Sequence, residues 1–289
     1  MLTTVVTITN SRATQGPQPC VARLARRPVG VLIAAAVLLL GRSAAAQHAS
    51  AEDVNAANNP LTPKITINFH DQWAPELYDV GEGSNAFLVR GVVPHKLGGV
   101  PQLFRYTLPV VTAPDATGGT VTGLGDLNLI ELFPFVLKRA RMEIAVGPQV
   151  TLPTATNDVT GTGKWQGGFA VLAIAPREFG IAGALVTWQH SFAGDDDRAS
   201  QNNLSLQPLF IYNLPQGWYL RSTATWNFAF AQDTYVIPIG GGIGKVWVRP
   251  EATINVFAEP QFTIAHDGAG QPKFQMFMGL NLQFPLGRK

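Results

Sequence analysis

Phe274-Gln275-Met276-Phe277-Met278-Gly279-Leu280-Asn281-Leu282-Gln283-Phe284 divides by parity: Phe274, Met276, Met278, Leu280, Leu282 and Phe284 against Gln275, Phe277, Gly279, Asn281 and Gln283. Successive side chains of a strand point to opposite faces, so this stretch reads as a strand with one apolar face. Its length matches the roughly 9–11 residues that a tilted strand needs to cross a bilayer. The same alternation fills 141–152, where Met142, Ile144, Val146, Val150 and Leu152 oppose Arg141, Glu143, Gln149 and Thr151. It returns over 218–230, where Trp218, Leu220, Trp226, Phe228 and Phe230 oppose Arg221, Thr223, Thr225 and Asn227, with aromatics at both ends of the apolar face as interfacial girdles require.

Composition narrows the setting of these strands. Apolar residues make up 46% of the chain and charged ones only 14%, against roughly 25% charged in soluble domains. No apolar run beyond residue 46 approaches the roughly 18 residues of a membrane helix. The N-terminus carries a leader pattern: Arg23, Arg26 and Arg27, an apolar run over 29–40, then Ala44-Ala45-Ala46. That is the basic, apolar and small-residue order of a secretory signal peptide, predicted to span 1–46. Arg12, Arg23, Arg26, Arg27 and Arg42 leave with it, so 21 basic residues fall to 16 against 19 acidic ones and the net charge moves from +2 to −3. The basicity of the whole chain therefore carries no argument for a nucleic-acid partner. The single cysteine, Cys20, also lies in the leader, which excludes a disulfide scaffold or thiolate chemistry in the exported chain. An exported, charge-poor chain of amphipathic strands predicts an all-β fold, an antiparallel transmembrane β-barrel in the bacterial outer membrane. Its expected partners are outer-membrane lipid, the barrel-assembly machinery and a small-molecule solute.

Further strands are predicted over 65–69, 84–93, 103–110, 125–133, 167–175, 181–192, 204–212, 235–248 and 253–264. With the three above this gives about 12, an even number as bacterial barrels require. Residues 47–64, rich in Ala and Asn, predict a mobile N-terminus ahead of a barrel over 65–289. Short connections at 176–179 and 215–217 alternate with longer polar ones at 113–123, 154–165, 193–203 and 265–273, the pattern of short periplasmic turns and long outer loops. Gly240, Gly241, Gly242 and Gly244 interrupt their strand and predict a bulge or a close approach.

Several short motifs carry a resemblance. Gly123-Leu124-Gly125-Asp126, Leu152-Pro153-Thr154, Gly161-Thr162-Gly163-Lys164-Trp165 and Gly240-Gly241-Gly242-Ile243-Gly244 together resemble the outer-membrane protein family of the meta-pathway of phenol degradation, sometimes mislabelled neuromedin U. The likeness spans roughly 65–284, with Gly123, Gly125, Asp126, Pro153, Gly163, Trp165, Gly242 and Gly244 as its motif positions. It implies an outer-membrane barrel with a role in moving aromatic or other apolar compounds, and no catalytic residues. The segment from Gly279 through Leu282 to Phe284 also resembles the C-terminal targeting strand of outer-membrane barrels, although Phe277 departs from it and 285–289 extend past it. The closing strand of a soluble sandwich is the alternative.

Catalytic chemistry finds little support. His70, His95, His190 and His266 have no Gly-x-Ser-x-Gly partner, and the neighbours His190 and Ser191 point to opposite faces of a strand. Gly161-Thr162-Gly163-Lys164 lacks the first glycine of a phosphate loop. Asp195, Asp196 and Asp197 read as a solvated loop in preference to a cation site. The chain is read as a non-enzyme without metal or cofactor. The polar parity predicts a lumen lined by Arg141, Glu143, Gln149, Thr151, Arg221, Thr223, Thr225, Asn227, Asn255, Glu259, Asn281 and Gln283. Those side chains either line a conduit or form a plug of ion pairs and hydrogen bonds.

Overall fold

The computed structural model describes residues 49–286; the expected leader lies outside them. The strands are β1 (Ile65–Ala74), β2 (Ser84–Leu97), β3 (Val100–Pro114), β4 (Thr120–Leu124), β5 (Leu127–Leu137), β6 (Met142–Leu152), β7 (Lys164–Arg177), β8 (Gly180–Gly194), β9 (Asn202–Asn213), β10 (Trp218–Ser222), β11 (Trp226–Ala229), β12 (Thr234–Gly240), β13 (Gly242–Val248), β14 (Thr253–Asp267) and β15 (Phe274–Phe284). Each pairs antiparallel with its neighbours, and β15 returns to β1 with Ile65 opposite Phe284 and Trp73 opposite Met276.

Three staves of the wall are broken in two. β4 and β5 both pair with β3, β10 and β11 both pair with β9, and β12 and β13 both pair with β14. Counting each broken stave once gives a closed barrel of 12 strands. Closure leaves no unpaired sheet edge.

Short turns lie at the end of the barrel that holds Ile65 and Phe284, and longer loops at the other. Phe133, Val146, Phe169, Phe210, Leu220, Ile243 and Phe262 stand exposed on the outer face. Aromatics mark both rims of this belt: Phe135, Phe179, Tyr212 and Trp218 at the turn end, Trp165, Phe192 and Phe230 at the loop end. That is the outer surface of a lipid-embedded barrel.

The interior differs between its two ends. Toward the loop end it is polar and buried, with Gln72, Asn128, Gln149, Thr151, Gln166, Gln189, Thr225 and Gln261. Asn128 Nδ2 donates to Thr151 Oγ1 at 3.0 Å, and Thr151 donates to Gln189 Oε1 at 2.8 Å. Toward the turn end the inward side chains are apolar and form one cluster that includes Leu103, Ile130, Leu132, Leu172, Ile174, Ile181, Leu185 and Ile211. This explains why the sequence over 167–175 is apolar on both parities. Its outward residues face the belt, and Ala170, Leu172 and Ile174 face a packed interior.

A helix fills the turn end. Within 47–64, where the sequence predicts a mobile tail, Ala51–Asn58 form α1. Ser50 caps it reciprocally: its Oγ accepts from Asp53 N at 3.1 Å, and Asp53 Oδ2 accepts from Ser50 N at 2.9 Å. Glu52 and Asp53 place negative charge in the first turn, where the helix dipole favours it. Pro60 follows the C-cap Asn59, and a proline there prevents the helix from continuing. Val54 and Ala57 on one side of α1, and Leu61 just beyond its end, join the apolar cluster; burying a Val or Leu side chain contributes about 1.5–3 kcal/mol.

Candidate functional site: the barrel lumen

Inward parity on the staves places a charged cluster midway between the polar and apolar halves. Arg221 on β10 and Glu259 on β14 form an ion pair of 2.7 Å, with side chains 8% and 0% exposed. Glu259 is satisfied on both oxygens: Thr223 N donates to Oε1 at 2.7 Å, Gln261 Nε2 to Oε1 at 3.1 Å and Thr223 Oγ1 to Oε2 at 2.7 Å. Thr223 lies in the gap between β10 and β11, so the stave breaks where its amide turns from the ladder to the carboxylate. The Arg221 guanidinium stacks over the Phe257 ring at 3.5 Å and lies 5.3 Å from that of Phe277. Such stacking suits a planar, weakly hydrated cation.

His70 on β1 sits edge-on to both rings, at 5.4 Å from Phe257 and 5.3 Å from Phe277. Its Nε2 meets Asn281 Oδ1 at 2.7 Å and its Nδ1 meets Arg90 Nη1 at 3.1 Å. A guanidinium can only donate, so Nδ1 is the acceptor, Nε2 carries the proton and His70 is neutral. Gly279 makes room for this packing: a Cβ there would stand 2.4 Å from the Phe257 ring and 2.6 Å from His70.

Between this cluster and α1 lies a cavity of about 150 Å³. Asn68, His70, Arg90, Arg105 and Arg221 form its polar side, and Leu103, Leu132, Leu172, Leu185, Leu209 and Ile211 its apolar side. The floor is the C-terminal end of α1 and the residues after it, Ala57 to Pro60 and Thr62. Asparagines hold that floor in place: Asn255 Nδ2 donates to Asn58 Oδ1 at 3.1 Å, Asn59 Nδ2 to Glu143 Oε2 at 2.9 Å, Asn55 Nδ2 to Arg177 O at 2.8 Å and Asn213 Nδ2 to Asn55 Oδ1 at 3.0 Å.

Arg221, Thr223, Asn281 and Gln283 line this cavity together. Asn255 and Glu259 are fully buried beside it, with Asn255 Oδ1 accepting from Tyr219 Oη at 2.6 Å. Thr225 and Asn227 line a small space nearer the loop end, Gln149 and Thr151 are buried inside the wall, and Glu143 meets the α1 segment. Arg141 requires a correction. It occupies the β5–β6 turn, exposed, with φ 50°, so it precedes the strand and does not line the lumen. Its left-handed backbone belongs to the turn, so the strand alternation begins at Met142.

Sequence reasoning missed Arg90, Arg105, His70 and Asn68. A signal was present: Arg90 stands alone between Val89 and Gly91, and Arg105 between Phe104 and Tyr106, each on the parity opposite an apolar outer face. An isolated charge within a membrane strand marks an interior site.

The glycine motifs have structural roles. Asp126 follows the β4–β5 break and holds the 153–163 loop, with Oδ2 accepting from Thr162 N at 2.7 Å and Thr162 Oγ1 at 2.8 Å, and Oδ1 from Ala155 N at 3.2 Å. Gly123 and Gly125 lie against that loop, where a Cβ would stand 2.6 Å from Thr156 Oγ1 and 2.7 Å from Pro109 respectively. Gly163 has φ 68° in the turn before Trp165, and Pro153 and Trp165 line the loop pocket with it. At the other site, Gly241 separates β12 from β13, a register shift falls between Ile237 and Pro238, and the Tyr219 ring covers Gly244, 2.2 Å from an added Cβ. A Cβ on Gly242 would stand 2.3 Å from Ala258 O. Among the described residues, no group of three or more His, Cys, Asp or Glu is placed to hold a metal.

Comparison with solved structures places this fold among outer-membrane barrels. The chain is similar to the COG4313 outer membrane channel from Pseudomonas putida F1, with a TM-score of 0.58 and 14% identity over 78% of this chain and 98% of that one. Weaker likenesses are the β domain of the Bordetella autotransporter BrkA, at TM-score 0.44 and 10% identity over 77% of this chain and 100% of that one, and the KdgM porin, at 0.39 and 7% over 77% and 99%. No family model and no curated protein matches the chain.

Proposed function

We propose that the chain is a passive outer-membrane channel for small solutes with apolar or aromatic bodies, exported by the leader at 1–46. The observation that carries this reading is a closed barrel, apolar outside, that encloses a cavity with one polar and one apolar side. A barrel built only for structure has no need of a two-sided cavity within it. The likeness to the COG4313 channel and the resemblance of the glycine motifs to the phenol meta-pathway family support the same reading. By barrel convention the turn end faces the periplasm and the loops face outward. Selection would fall to the charged and polar side chains around Arg221, with no energy coupling.

The second reading is a plugged structural barrel. The α1 segment across the turn end and the sealed Arg221–Glu259 pair favour it. Planar-bilayer recording separates the two. The mature protein should give discrete conductance steps that small aromatic solutes modulate and that Arg221→Ala alters, and a chain cut to remove 47–62 should conduct more. A correctly folded, heat-modifiable barrel that stays silent in both forms would overturn the channel reading.

A further inference from the structure

Arg90 is 2% exposed, and its Nε and Nη2 are buried without a hydrogen-bond partner. Its hydrogen bond among the described residues, through Nη1, is to the neutral His70. Arg105 lines the same cavity and makes no hydrogen bond or ion pair with any described residue. The two are diagonal neighbours on adjacent staves: Arg90 lies opposite Thr107, and Arg105 opposite Val92. Of the three guanidiniums around His70, only Arg221 has a carboxylate, and Glu259 is already saturated. The cluster therefore holds two guanidiniums without a carboxylate: Arg90 is buried, which costs several kcal/mol without an anion, and Arg105 is half-buried at the cavity wall. Neither can shed its proton.

Leu172, Leu185, Leu209 and Ile211 face these cations from β7, β8 and β9, on the other side of the cavity. One side thus offers free, forked donors suited to a carboxylate. The other offers apolar surface across the same cavity. The volume, about 150 Å³, equals that of an apolar protein cavity known to take up benzene, roughly 150 Å³.

We infer that the lumen contains a binding site for a monocarboxylate with a compact apolar body, the carboxylate held by Arg90 and Arg105 and the body packed on the leucine wall. This deepens the channel reading and rests on it, since it names the class of solute that pauses in the lumen. Benzoate, benzamide and acetate separate the two halves of the claim. Calorimetric titration of the folded full-length mature protein in detergent should show benzoate binding at least about tenfold more tightly than benzamide, which lacks the charge, and than acetate, which lacks the ring. Arg105→Gln removes a side chain that bonds to nothing in the protein, so the barrel should remain heat-modifiable while the preference for benzoate over benzamide disappears.

Equal affinity for benzoate and benzamide would overturn the role of the arginines. Equal affinity for benzoate and acetate would overturn the apolar wall, and an Arg105→Gln barrel that keeps the preference would overturn the assignment. Conductance in potassium chloride reads the channel independently. A conducting barrel that binds none of the three sinks the site alone, and a silent barrel that binds benzoate sinks the channel alone.

Discussion

Replacing Glu259 by Gln tests how far the lumen depends on the buried Arg221–Glu259 pair. The side chain keeps its size, and its amide oxygen still accepts from Thr223, but Arg221 then lies buried beside Arg90 and Arg105 with no anion near it. At 2.7 Å and an effective dielectric of about 20, the lost Coulomb attraction is about 6 kcal/mol. Measured losses on breaking a buried pair are smaller, about 3–5 kcal/mol, because water and neighbouring groups relax toward the orphaned ion. With urea as denaturant and a slope of about 1–3 kcal/mol/M, the unfolding midpoint from lipid vesicles should fall by at least about 1 M. A paired Arg221→Met, Glu259→Met barrel should recover most of the loss, since the cost lies in the unpaired charge and the Phe257 and Phe277 rings can pack against a thioether. A single variant within about 0.5 kcal/mol of the parent, or a double variant as weak as the sum of its parts, would refute this account.

Other expectations follow from the loops and the glycine sites. Asp126→Ala removes the acceptor for Ala155 N, Thr162 N and Thr162 Oγ1; a local loss of about 2 kcal/mol should speed limited proteolysis of the 153–163 loop about thirtyfold, and an unchanged cleavage rate counts against the hub. Gly244→Ala drives a methyl into the Tyr219 ring and should cost about 1–3 kcal/mol in urea unfolding; an unshifted midpoint would show that the ring is free to move. Asp115 Oδ1, in the β3–β4 loop, accepts from Thr117 Oγ1 at 2.7 Å and from the Thr117 and Gly119 amides at 2.9 Å each, bonds that hold its pKa below the ordinary aspartate value. The stabilisation is then present above the unfolded-state pKa and is lost as pH falls through the lower folded one. Amide exchange at Thr117 and Gly119 should stay protected through the ordinary aspartate range and give way only beneath it, whereas protection lost within that range contradicts the sign.

The sequence by itself determined the wall. Period-two alternation is a property of each strand alone, and β6 and β15, predicted over 141–152 and 274–284, differ from the structure by at most one residue at either end. The count of 12 was legible too, because turn and loop signals separate the staves. Local pattern showed one stave break, at Gly240, Gly241, Gly242 and Gly244, and gave no sign of the one at Thr223. Thr223 leaves the ladder for a carboxylate on β14, 36 residues away, whereas Gly241 lies where β12 and β13 both pair with the strand that follows them. Nor could parity reveal what the inward apolar side chains, such as Leu172 and Ile174, pack against, because that depends on strands and a helix far away in the chain. Only closure of the barrel brings Arg90, Arg105 and Arg221 around His70 from β1, β2, β3 and β10, and sets a leucine wall opposite them with α1 as the floor. These contacts span most of the chain, from Asn58 to Asn255 and from Ala57 to Gln283, and their energies depend on burial that no single segment provides.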